Sequence, residues 1–235
     1  MLSEKEIQSL WGYVNQGIEF PWPRSPRTQS NLSSSLAVLL DDSDLKNWLN
    51  GLNKQDFNIE LRNLISPKLK NRNTLQCVEI ANWIVRNWGG IKNGNEAIAG
   101  WVERLGDFSE ESVAKFVEEM ETRRVSSWSK ILAFSDPVNH AIYDARTAVA
   151  LNTGLKDLGV EWRFFMPLSQ NRLMKAVRPF LTPSHSSDER GYSTYIDLLK
   201  TMAKHNVAKN SILSIEMTLF ANAPLLAEGL MIKSS

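Results

Sequence analysis

A mostly α, compact multi-helix fold is what this chain predicts, and three observations carry that expectation. Apolar residues recur at three- and four-residue spacing through several long stretches, the period of one helical face. Strand-like runs are few; Val160-Glu-Trp-Arg-Phe-Phe-Met166 is the best of them, and a single short run builds no sheet. Nothing repeats at a fixed period, which argues against a solenoid. With 235 residues, 43% hydrophobic and 23% charged, the chain has the composition of an ordinary globular protein. That length buries a sizeable core, either as a single domain over 1–235 or as two lobes. The expected lobes are a central one over about 75–155 and a packing one formed by 1–74 with 156–235.

The elements follow in order. Pro21-Trp-Pro-Arg-Ser-Pro-Arg27, with the serines after it, reads as an extended surface loop. Thr74 caps a helix whose apolar face is Leu75, Val78, Ala81, Ile84, Val85 and Trp88, ended by Gly89-Gly90. Asp107 and Glu110 suggest a capping arrangement, and Val113, Phe116, Val117 and Met120 then form one stripe. A short apolar helix over Trp128–Phe134 carries Lys130, and the next helix opens at Asp144. Thr182-Pro-Ser-His-Ser-Ser187 is a second loop, with Ser187 or Asp188 placed to cap what comes after. Tyr192, Tyr195, Ile196, Leu199, Met202 and Ala203 mark a long helix ending near His205-Asn206. The last helix runs from about Ser211 past Phe220 and is expected to stop or break near Pro224. The N- and C-terminal helices are expected to pack together.

Composition narrows the function classes. A lone Cys77 gives no internal disulfide and no multi-cysteine zinc site, and reads as a core thiol. His140, His185 and His205 are scattered without metal-ligand spacing, so no metal or other cofactor is expected. Apolar runs such as Leu36-Ala-Val-Leu-Leu40 are far too short to cross a bilayer, and the first residues lack the order of a signal peptide. A cytoplasmic protein without a membrane partner is the expectation. A net charge of +1 excludes a globally basic nucleic-acid binder but leaves room for a local patch that touches a few phosphates.

Lys130 and Asp144 carry the chemistry. A lysine among Trp128, Ile131, Leu132 and Phe134 loses hydration, which favours its neutral, nucleophilic amine. A carboxylate brought beside it completes a pair able to attack an electrophilic carbon and move the proton. Each residue alone has an ordinary explanation: helix lysines lay their stems over apolar neighbours, and aspartates before helices cap them. The flanking words set this pair apart.

Ser129-Lys-Ile-Leu-Ala-Phe-Ser-Asp-Pro137 and Ile142-Tyr-Asp-Ala-Arg146 together resemble the helix-hairpin-helix superfamily of base-excision DNA glycosylases. The likeness is to the 8-oxoguanine glycosylase-like branch that includes archaeal enzymes. Asn87-Trp-Gly-Gly-Ile91 and Ile215-Glu-Met-Thr-Leu-Phe220 are similar to stretches of that branch. The resemblance spans about 75–222, and its specific part is 128–146. Two features depart from the family pattern. The usual Leu-Pro-Gly-Val-Gly type of hairpin is missing, with Arg124-Val-Ser-Ser-Trp128 in its place, and the lysine-to-aspartate interval is short.

The resemblance implies a Lys130/Asp144 active site between two helical lobes, acting on double-stranded DNA that carries a modified base. Ionised Asp144 would stabilise positive charge at C1′, and Lys130 would attack that carbon to give an imine from which strand cleavage can follow. The base must be flipped out of the duplex into a pocket, for which Phe134 is the leading wall candidate and Trp128, Trp83 and Tyr143 the others. Trp128, Trp83 and Tyr143 each have core packing as the plainer explanation. Arg123 and Arg124 form a basic pair for phosphates; Lys68, Lys70 and Arg72 form a second, more readily taken as solvated loop charges. Arg146 is placed either to brace the carboxylate or to touch DNA. Candidate substrates are 8-oxoguanine and a hypermodified phage base such as glucosylated hydroxymethylcytosine. For the sugar of the latter, Gln76, Asn82 and Asn87 offer polar groups. A monomer is expected. The alternatives are a helical DNA-binding module without catalysis and a protein-interaction module.

Overall fold

The computed structural model describes residues 2–18, 21, 25–70, 74–91, 95–183, 185–205 and 211–234. Among them are twelve α-helices and two strands of two residues each, so the mostly α expectation holds. The chain falls into two compact units, one of Met1–Glu19, Met120–Ser126 and Val138–Ser235, the other of Phe20–Glu119 and Ser127–Pro137. This division differs from the expected seams near 75 and 155. The first helix sides with the C-terminal third, and the chain passes between units around 120–137.

The second unit is built from α2 (Pro26–Leu40), α3 (Leu45–Asn50), α4 (Lys54–Lys70), α5 (Thr74–Asn82), α6 (Asn95–Leu105), most of α7 (Glu110–Met120) and most of α8 (Val125–Ser135). The expected loop at 21–27 ends early: Ser25 caps α2 by accepting from the Thr28 amide, and Pro26 opens it. The serines beyond are helical because Ser33 and Ser34 donate back to the carbonyls of Gln29 and Ser30, four residues earlier. Gln29 Nε2 donates to the carbonyls of Leu49 (2.8 Å) and Leu52 (3.0 Å), tying α2 to the end of α3.

The expected helix from Thr74 is present and continues as a π-helical turn over Trp83–Trp88, where the Gly89 amide donates to the Ile84 carbonyl five residues back. Gly90, at φ 68, ends it. Its buried face is Cys77, Ile80, Ala81, Ile84, Val85 and Trp88, whereas Leu75 is 70% exposed and Val78 only half-buried. The expected face was rotated by its first two members. The Cys77 thiol is in the core and donates to the Leu69 carbonyl. In α7 the expected stripe of Val113, Phe116, Val117 and Met120 is buried, but Ser109 rather than Asp107 caps it, accepting from the Ser112 amide. Asp107 instead holds the Ser109 amide, and those hydrogen bonds lower its pKa.

The first unit centres on α9 (Ala145–Asp157), in which ten of thirteen residues are buried. Around it pack α1 (Glu4–Val14), α10 (Arg172–Leu181) and α12 (Ile212–Ser234), with α11 (Tyr192–His205) against α1 and α12. The expected meeting of N- and C-terminal helices thus holds for α1. Gly154 permits its approach: a Cβ there would fall 2.5 Å from Leu10 Cδ1 and 3.3 Å from Tyr13 Cδ1.

The strand expected over 160–166 shrinks to β1 (Arg163–Phe164), parallel to β2 (Glu189–Arg190). On its other edge the Asn152 side chain takes the place of a strand, donating to the Phe164 carbonyl and accepting from its amide. Because β2 precedes α11, neither Ser187 nor Asp188 caps that helix. The Glu121 carboxylate does so instead, accepting from the Ser193 amide and hydroxyl. Ala203 on α11 is half-buried. Asn206 lies outside the described residues.

Contrary to expectation, α12 runs through Pro224. Its stretch Ile212–Lys233 is long and apolar enough to cross a membrane by length and composition, with 56% of the most apolar window buried inside the protein. Buried Glu216 and Asn222 sit on it, and Asn222 accepts from the Gln16 amide, features of a core helix that carries polar fastenings.

Candidate active site

Helix α8 is buried from Trp128 to Ser135, with Ser126 and Ser127 half-buried. Trp128, Ser129, Ile131, Leu132, Ala133, Phe134 and Ser135 are each 1% exposed or less, and Lys130 among them is 6% exposed. A lysine this deep is unusual, since lysines are rarely found so fully buried. Its methylene stem lies against Gly89, close enough that a Cβ on the glycine would stand 2.8 Å from Lys130 Cδ. The expected short apolar helix with a lysine inside it is what the structure holds.

The rings expected to wall a base pocket are elsewhere engaged. Phe134 meets Trp88 edge-on at 5.0 Å, and the buried Arg62 guanidinium lies over both rings, 5.4 Å and 5.9 Å from their centroids. Trp128 packs edge-on against Phe116 at 5.6 Å. Trp83 donates its indole N–H to Ser35 Oγ at 2.9 Å. Tyr143 donates to the Phe165 carbonyl and lies 4.8 Å from the Tyr195 ring. All four are 4% exposed or less, so none presents a face to a base in this form. Core packing accounts for all four: Phe134 and Trp128 sit on the buried part of α8, Trp83 on the π turn, and Tyr143 in the segment before Asp144.

Asp144 caps α9 as expected. Its Oδ1 accepts from the amides of Arg146 (2.8 Å) and Thr147 (3.1 Å), and Thr147 Oγ1 accepts in return from the Asp144 amide (3.0 Å). The carboxylate is half-buried, and both amide bonds fall on one oxygen. Oδ2 carries no hydrogen bond among the described residues. The Asp-x-x-Thr spacing is a sequence signal for this reciprocal cap.

The chain leading into Asp144 has no regular structure, so side chains satisfy its backbone groups. The Ile142 amide donates to Glu216 Oε2 at 3.0 Å. Tyr195 donates to the Ile142 carbonyl at 2.9 Å and Tyr192 to the Ala141 carbonyl at 3.1 Å. His140 Nδ1 lies 3.3 Å from the Tyr192 hydroxyl, with the two rings stacked. Glu216 is 2% exposed. Burial, with the Glu216, Tyr192 and Asp144 charges behind it, pushes the Tyr195 phenol well above its usual range; burial does the same to Tyr143. None of Glu216, Tyr192 and Tyr195 was singled out for the site by sequence reasoning. A lone carboxylate in the apolar run of α12 was the available signal.

The basic candidates divide. Arg123 and Arg124 are exposed on the turn between α7 and α8, with Arg124 at φ 54 and Glu121 at φ 27. Arg146 offers its backbone amide to Asp144 while its guanidinium lies 4.4 Å from the Phe220 ring centroid, a cation–π contact. Lys68 and Lys70 belong to the last turn of α4, and Arg72 is outside the described residues. Asn87 is exposed, Gln76 half-buried, and Asn82 returns its Nδ2 to the Val78 carbonyl. Among the described residues no group of three or more His, Cys, Asp or Glu side chains is arranged to hold a metal.

Lys130 belongs to the second unit and Asp144 to the first. Each is held by its own surroundings, the lysine by a buried helix and the aspartate by a reciprocal cap. No family model, no curated protein and no solved structure matches the chain.

Proposed function

We propose that this protein is a cytoplasmic DNA glycosylase that excises a modified base from double-stranded DNA with Lys130 and Asp144. The observation that carries the reading is a lysine only 6% exposed inside an apolar helix, within the block that resembles the glycosylases. Attack on carbon needs a neutral lysine amine, and apolar surroundings are where proteins hold such lysines. The chain is read as acting as a monomer.

The reaction requires both residues at one deoxyribose. As the base departs, positive charge grows on the sugar, and an ionised Asp144 Oδ2 is the atom left to face it. The neutral Lys130 amine would form a bond to C1′ as the N-glycosidic bond breaks, with the electron pair leaving on the base and the proton shed by the nitrogen passing to that base, so that Asp144 stays ionised. Ring opening gives an imine, and loss of a C2′ proton from it expels the 3′ phosphate, which is strand cleavage. Arg123 and Arg124 are the phosphate contacts of this reading, since exposed arginines suit bidentate phosphate binding. The base is 8-oxoguanine or a hypermodified cytosine.

The burial of Phe134, Trp128, Trp83 and Tyr143 favours a second reading, a helical DNA-binding module without catalysis, because none of these four rings is open to receive a base. Base release separates the two. The glycosylase reading expects Lys130→Gln to bind DNA within about threefold of wild type and to lose base release by about a thousandfold or more. Unaltered release by the purified variant would overturn the mechanism. Absence of release by wild type on every modified DNA would favour the binding module.

A further inference from the structure

Two adjacent glycines end the π turn, and they are glycines for different reasons. Gly90 is at φ 68, where a side chain is strained. Gly89 is at φ −81 and ψ −13, a conformation open to any residue. What excludes a side chain at Gly89 is its surroundings: a Cβ there would lie 2.8 Å from Lys130 Cδ, 2.9 Å from Lys130 Cε and 2.7 Å from the Val85 carbonyl oxygen. The lysine stem therefore occupies the space that any side chain at 89 would need.

The π turn sets this meeting. By closing a five-residue step, with Gly89 N–H on Ile84 at 2.8 Å, it turns the following residues about 100° from where a regular helix would leave them. Gly89 then presents its bare Cα to the last two carbons before the Lys130 amine. Those carbons set the direction of the nitrogen, because a stem pinned at Cδ and Cε leaves only the terminal bond free to turn.

We propose that Gly89 is a positioning residue for Lys130, a side-chain-free track at the end of the π turn that aims the amine. The catalytic part of this proposal rests on the glycosylase reading; the packing part does not. A side chain at 89 and the present path of the lysine are mutually exclusive.

A double-mutant cycle tests the packing part without reference to activity. Gly89→Ala, Lys130→Ala and the double variant are compared with wild type by thermal unfolding. The expected result is coupling: Gly89→Ala lowers the Tm clearly in wild type and by less than half as much when Lys130 is already Ala. If Gly89→Ala fails to fold while the double variant folds, the proposal is equally supported. Equal losses in both backgrounds, or failure of both to fold, would mean that the Val85 carbonyl alone demands glycine, and would overturn it.

The aiming part is read on a duplex with a ready-made abasic site, which removes base recognition from the assay. Gly89→Ala is expected to slow borohydride-trappable complex formation at saturating DNA at least tenfold, with half-saturation within about threefold of wild type. Trapping at the wild-type rate would refute the aiming role. Absence of trapping by wild type would fall on the glycosylase reading, while the Tm cycle would still decide the packing.

Discussion

At Asp144 one carboxylate forms a helix cap and has a catalytic role proposed for it, and substitutions separate the two. Asparagine caps a helix as well as aspartate does but carries no charge, so Asp144→Asn is expected to keep stability within about 0.5 kcal/mol while turnover falls on the order of 10²–10³-fold. Asp144→Ala loses the cap too and is expected to cost about 1 kcal/mol of additional stability. Denaturant unfolding beside base-release rates measures both, and full turnover in Asp144→Asn would restrict the residue to capping. This role was legible, because Asp144 and Thr147 stand in cap spacing before an apolar run. The burial of Lys130 was legible in its apolar neighbours. Phe134 shows where that reasoning ran out: it is the leading wall candidate by sequence, whereas α8 is buried from Trp128 to Ser135, the side of Phe134 included. The contact with Gly89 was invisible, since it depends on where a residue 41 positions away is carried by a π turn.

Among the elements, the approach to Asp144 stands out because its backbone is fastened by side chains from α11 and α12. Glu216→Ala leaves the buried Ile142 amide without its acceptor and is expected to destabilise by about 1–3 kcal/mol. Glu216→Gln keeps an acceptor and is expected to recover most of that loss. Hydrogen exchange at Ile142 checks the local effect, and slow exchange in the alanine variant would contradict it. The phenols give a pH signature. Tyr143 and Tyr195 ionise well above the usual 10.0 when folded and near that value when unfolded. The stability they confer is complete below about pH 10 and is lost as pH rises from there toward the folded values. Tm is therefore expected to fall steeply above pH 10, with at least two of the four tyrosines silent in tyrosinate absorbance until unfolding. All four titrating near 10 in the folded protein would contradict this burial. Other element boundaries were hidden for local reasons. Serines in α2 return their hydroxyls to its own carbonyls, and Pro224 is tolerated inside a packed helix, so residues that usually interrupt helices do not do so here.

For the whole molecule, helical content and most stripes were readable because apolar periodicity reports the face that each helix buries. The division into units was not, because it depends on which faces find each other. Helix α1 joins α9 through a close approach at Gly154 and packs on α11 and α12 as well, and the chain crosses between units near 120 and 137. The candidate residues therefore come from both units, and the account stands or falls on whether they act together on DNA. Borohydride trapping tests this most directly, with wild type and Lys130→Gln side by side on unmodified DNA, 8-oxoguanine DNA and phage DNA with glucosylated cytosines. The account predicts a covalent protein–DNA complex with wild type alone, on one of the two modified DNAs. A complex of equal yield with Lys130→Gln would contradict it.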